Sequence, residues 1–78
     1  MHPMITAEVK IQSFYITSIY EILTGTSIKE LEDVIKDFEE EELYEECEGI
    51  KRALDLAKKC TIEELKLEYT NELTKHNE

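Results

Sequence analysis

Two cysteines, two histidines and a run of four glutamates are the residues of this 78-residue chain whose types first suggest chemistry. Cys47 and Cys60 stand thirteen positions apart, and His2 and His76 lie near the two ends. A zinc centre draws its Cys and His ligands from closely spaced pairs, and no such pair is present. Cys47 falls in an apolar helical stripe, which predicts a buried structural thiol. Cys60 follows Lys58 and Lys59 at a helix junction and is expected to be the more accessible and reactive of the two. The run Glu39 to Glu42 could attract a cation, yet a calcium loop needs oxygen ligands at alternating positions around a central glycine. These glutamates read instead as a solvated cluster or as a contact for a basic partner. There is no nucleophile motif, no glycine-rich phosphate loop and no dinucleotide fingerprint. The carboxylate pairs come with no inferable buried pocket that would tune them for acid–base work. The sequence therefore predicts a non-catalytic protein without cofactor or metal.

Charge narrows the partners. Nineteen acidic and nine basic residues give a formal net charge of −10. Such a chain repels nucleic-acid phosphates and anionic membrane surfaces. It suits a protein partner with a basic groove, or simply high solubility. No basic-then-apolar leader is visible and no apolar run could span a bilayer, so a cytoplasmic location with reduced thiols is expected.

The elements that position these residues follow from pattern. The length fits one domain over 1–78. Gly25 ends a long periodic segment, as a helix C′ residue does. Ser27-Ile28-Lys29-Glu30 and Thr61-Ile62-Glu63-Glu64 both have the form of a capping box. The first segment, 4–24, carries Ile5, Val9, Gln12, Ile16, Ile19 and Leu23 at alternating spacings of four and three. This is one helical stripe, broken only by Gln12 and widened by Ile11, Tyr15 and Ile22. Its Ile, Val, Thr and Tyr content favours strands, but it lacks strict alternation. The middle segment holds two stripes: Ile28, Leu31, Ile35, Phe38 and then Leu43, Cys47, Ile50, Leu54, Ala57. The twelve-residue step from Leu31 to Leu43 would rotate a single helical stripe by roughly 120°. Two helices folded back on each other, 28–38 and 43–59, keep both stripes on one core. The glutamate run then sits in the turn of an αα-hairpin, and Asp37, with Glu40 three residues on, offers an alternative N-cap that would set the turn earlier. Ile62, Leu65, Tyr69 and Leu73 mark a helix over 62–75, with a frayed tail after it. The expected fold is an all-α bundle of three long helices and a shorter C-terminal one.

Charge order supports the second helix of the hairpin. Glu42, Glu45 and Glu46 lie near its start and Lys58 and Lys59 at its end, as the helix dipole favours. Glu48–Arg52 and Asp55–Lys59 are i,i+4 pairs in the better orientation.

The hairpin resembles the UVR motif, a short helical hairpin of bacterial nucleotide-excision proteins and some stress-response partners. Leu31, Ile35 and Lys36 match its first helix, Tyr44-Glu45-Glu46-Cys47 its aromatic-acidic-small junction, and Ile50, Lys51 and Leu54 its second helix. Lys51-Arg52 replaces the usual Arg-Asp pair, and Phe38-Glu39 replaces small residues. The likeness covers about a third of the chain. It implies a protein-docking hairpin that often self-associates; it does not imply nuclease activity.

The first segment has more apolar width than a small domain normally buries. It is either the central helix, packed on two sides, or an exposed strip for a partner or a second copy. The partner-binding set expected on the second reading is Ile11, Phe14, Tyr15, Tyr20 and Ile22, joined by Glu40, Glu41 and Glu45 at the acidic turn. The functional expectation is a small acidic interaction adaptor or regulatory protein. Two competitors fit the composition: an acidic mimic of nucleic acid that blocks a cationic groove, and a small virion or assembly subunit.

Overall fold

A computed structural model describes residues 6–76 and contains four helices: α1 (Ala7–Leu23), α2 (Ile28–Glu40), α3 (Tyr44–Lys59) and α4 (Ile62–His76). There is no strand among the described residues. The expected helix start at Met4, with Pro3, Ile5 and His2 beside it, lies outside that range, as do Asn77 and Glu78 of the tail. The shortest helix is α2, with 13 residues, whereas α4 has 15. Helix α4 is slightly shorter than α1 and α3, which have 17 and 16 residues, and ends within one residue of the expected bound.

Local hydrogen bonds set the helix ends. Thr6 caps α1 by accepting from the Val9 amide at 3.2 Å. Gly25, at φ 114°, closes α1 with a Schellman motif, in which the Thr26 amide donates to the Glu21 carbonyl (2.8 Å) and the Gly25 amide to that of Ile22 (3.2 Å). Both capping boxes form. The Ser27 hydroxyl accepts from the Glu30 amide (3.1 Å) while the Glu30 carboxylate accepts from the Ser27 amide (3.3 Å). The reciprocal Thr61–Glu64 bonds measure 3.2 and 2.9 Å.

The hairpin turn falls within Glu41–Leu43, between α2 and α3. It repeats the Schellman pattern of α1: the Leu43 amide donates to the Phe38 carbonyl (2.9 Å) and the Glu42 amide to that of Glu39 (3.0 Å). The left-handed residue here is Glu42, at φ 61°. Lys51–Glu39 at 3.0 Å and Lys58–Glu32 at 3.7 Å tie the two arms together. Arg52 reaches Glu48 at 2.9 Å, as the spacing predicts. Asp55 and Lys59 form no ion pair among the described residues; Lys58 reaches across to α2 instead.

Two apolar clusters hold the helices. Leu31, Ile35, Cys47, Ile50 and Leu54 join α2 to α3, with Phe14 and Ile22 of α1 packed against them. Ile19, Ala53 and Leu65 join α1, α3 and α4, flanked by Tyr15, Ile22, Leu56 and Tyr69. The pair α1–α3 is therefore central, and α2 and α4 each add to it through a different cluster. Helices α1 and α3 approach closely at Gly49: an added Cβ there would lie 2.7 Å from Phe14 Cβ and 2.9 Å from the Tyr15 amide nitrogen. The molecule is flattened, with extents of 40 × 36 × 18 Å.

Candidate functional site: an apolar helix face and an acidic flank

Most of the strip expected to bind a partner turns inward. Ile11 is buried, Phe14 meets the Phe38 ring edge-to-face at 6.0 Å, and Ile22 packs against both clusters. Tyr15 is half-buried, and its hydroxyl donates to the Glu68 carboxylate at 2.9 Å. Burial first, and that hydrogen bond second, push the Tyr15 phenol well above its ordinary pKa. The physical reason for the inward turn is that α1 touches all three other helices, so its extra apolar width is core. Tyr20 alone of the five remains largely exposed, at 51 %, with its ring 5.8 Å from that of Tyr69.

The open apolar face of α1 is the neighbouring stripe. Val9 is 54 % exposed, and Val9, Gln12, Ser13 and Ile16 line a groove of about 600 Å³ with Leu73 of α4 and Glu8. Tyr20 and Tyr69 continue the same seam between α1 and α4. The seam has a polar floor. The Gln12 side-chain amide donates to Glu72, a carboxylate only 6 % exposed, which also pairs with Lys75 at 3.4 Å. Gln12, the one polar break in the stripe, is thus the partner of a buried acid on α4. That break was the available signal for the seam. Glu68 and Glu72 carried no signal of their own, because an acid on a helix face reads as solvated.

The acidic residues gather elsewhere. From Ile28 to Glu48 there are eleven acidic and two basic side chains, a net −9 of the chain's −10. Glu40 and Glu41 are exposed, and Glu45 is half-buried. Between Val9 and Tyr20, by contrast, Lys10 is the one charged residue. It pairs with Glu46 at 3.8 Å, on the side of α1 that faces α3.

The thiols and histidines stand apart from both surfaces. Cys47 is buried, with its sulfur 3.5 Å from the Ile35 carbonyl oxygen, and burial raises its pKa. Cys60 is half-buried and free. Among the described residues no three Cys, His, Asp or Glu side chains cluster as a metal site would, and no helix is long and apolar enough to cross a membrane. A smaller cleft of about 350 Å³ between α1 and α3 is lined by Gln12, Tyr15, Arg52, Asp55, Leu56 and Lys59. Its charges are mixed, with Asp55 against Arg52 and Lys59.

No family model, curated protein or solved structure matches this chain. The likeness of the hairpin to the UVR motif rests on its residues alone.

Proposed function

We propose that the protein is a non-catalytic docking module that binds another protein chain through the face shared by α1 and α4. The observation that carries this reading is the open, nearly charge-free groove of Val9, Ile16 and Leu73 on a chain of net charge −10. A small domain gains nothing in solubility from leaving such a face bare, and contiguous exposed apolar surface marks contact sites. The groove of about 600 Å³ is shallow and open, which fits side chains from another helix better than an enclosed small molecule. The earlier strip of Ile11, Phe14, Tyr15 and Ile22 serves this reading as scaffold, and Tyr20 as a contact.

Photo-crosslinking in the native cell tests it. Ser13 is exposed in the groove and Lys36 is exposed on α2. A photoreactive residue at Ser13 should give a discrete protein adduct, and one at Lys36 should not. No adduct from Ser13 would overturn the reading.

The second reading, an acidic mimic that occupies a cationic groove, is favoured by the concentration of charge between Ile28 and Glu48. On that reading the adduct comes from Lys36, and binding weakens steeply as salt rises. The UVR-like hairpin would then be the binding element.

A further inference from the structure

We infer that the occupant of the α1–α4 face is a second copy of this chain, docked across a two-fold axis. This rests on the docking reading above and names its partner.

Charge placement selects the occupant. Two chains of −10 repel each other, and the repulsion is least when their acidic parts are farthest apart. Nine of the ten net charges lie between Ile28 and Glu48, on α2, the turn and the start of α3. The α1–α4 seam is built by other segments, and its centre at Ser13 and Ile16 is neutral. A foreign partner chosen for this protein's charge would be basic and would be drawn to α2. A like-charged copy can approach only where charge is missing.

The rim is also self-complementary. Helices α1 and α4 run antiparallel, because Gln12 pairs with Glu72 and Tyr15 with Glu68. Glu8 lines one end of the groove. Lys66 is exposed and lies four residues after Ile62, three before Tyr69 and seven before Leu73, which sets it on the same edge of α4 toward the other end. A two-fold axis near Ser13 exchanges the ends, so Glu8 of one copy faces Lys66 of the other. In such an isologous contact each pairing occurs twice.

The area is modest. A helix of the length of α1 spans about 25 Å, and two helices side by side are about 20 Å wide, giving roughly 500 Å² of projected face. That is smaller than the about 800 Å² per partner of a standard interface and suits a weak, reversible dimer.

Sedimentation equilibrium of the purified full chain, from about 10 µM to 1 mM, is the test. The expected result is a reversible dimer that tightens as salt rises from 0.05 to 0.5 M, because screening removes repulsion. A basic partner on the acidic flank would show the opposite sign. Ser13→Glu puts two like charges at the axis on an exposed residue and should weaken the dimer at least about thirtyfold, the loss typical of a central contact. Its helicity and Tm report whether the fold is kept, and Val9→Glu serves as a second variant at a 54 % exposed position. Lys36→Glu on α2 should leave the dimer in place. A monomer at 1 mM in high salt, or a dimer untouched by both groove variants, overturns the inference. If the protein is monomeric but the Ser13 probe still captures a different protein, the docking reading stands and the second copy falls. If neither occurs, both fall.

Discussion

At Tyr15 one side chain does two jobs, filling the space beside Ile19 and Ala53 and joining α1 to α4 through Glu68. Removing the hydroxyl in Tyr15→Phe leaves the ring in place and orphans a half-buried carboxylate, so a loss of about 1 kcal/mol is expected in urea unfolding. The pH dependence has a definite sign. The phenol's pKa is raised in the folded protein, so its contribution is complete below the unfolded value of about 10 and is lost as pH rises beyond it. Wild type should therefore lose stability more steeply than Tyr15→Phe above about pH 10, as seen by comparing urea midpoints at pH 9 and 11; equal slopes would mean Tyr15 ionises freely. Gly49 makes a sharper case. The Cβ of Gly49→Ala would press on the Tyr15 amide and the Ile11 carbonyl, backbone atoms that move only if α1 and α3 separate. Overpacking of this kind costs about 1–3 kcal/mol, and the better helix propensity of alanine offsets about 1. A net loss of about 1–2 kcal/mol is expected, with the thermal midpoint as readout; a more stable variant would mean that α1 and α3 separate at little cost.

At the element scale, the two Schellman turns use the same bonds with different residues, Gly25 in one and Glu42 in the other. A non-glycine side chain in the left-handed region costs about 1–2 kcal/mol, while glycine carries an unfolded-state entropy cost of about 0.5–1. Glu42→Gly should thus stabilise the protein by roughly 0.5–1 kcal/mol and raise Tm by about 3–6 °C. Glu42→Gln, which removes the charge and keeps the strain, should give little of that gain; equal gains would assign the effect to charge. These ends also show what was legible in the sequence. Gly25, the Ser27–Glu30 box and the Thr61–Glu64 box act within a few residues, so each helix end could be read locally, and the 120° stripe rotation placed the hairpin turn. The inward face of α1 could not be read in this way. Its two adjacent apolar stripes, one through Ile11, Tyr15, Ser18 and Ile22 and one through Val9, Ile16 and Tyr20, differ only in which neighbours α3 and α4 bring to them. Gln12 carried the clue, since a lone amide in an apolar stripe calls for a buried partner.

For the whole molecule, the distribution of charge ties stability to assembly. The stretch from Ile28 to Glu48, turn included, holds eleven acidic side chains within twenty-one residues, and the Lys51–Glu39 and Lys58–Glu32 pairs offset only part of their mutual repulsion. Both pairs are about half exposed and screened by solvent, so neither is a strong tie. Repulsion among the remaining acids acts over a Debye length of about 30 Å at 0.01 M salt and about 8 Å at 0.15 M. The first length spans most of the 40 Å molecule and the second is shorter than one helix diameter of about 10 Å. Tm should accordingly rise as salt is added from 0.01 to 0.15 M, at a concentration low enough to keep the protein monomeric. Replacing Glu40 and Glu41 by Gln should raise Tm at low salt and flatten the dependence, because both are exposed. The opposite result, a Tm that falls with salt, would mean that the ion pairs outweigh the repulsion. The same variant separates the two surfaces. Loss of charge at Glu40 and Glu41 should leave a contact through Val9, Ser13 and Leu73 intact, whereas a partner held by the acidic flank would be released.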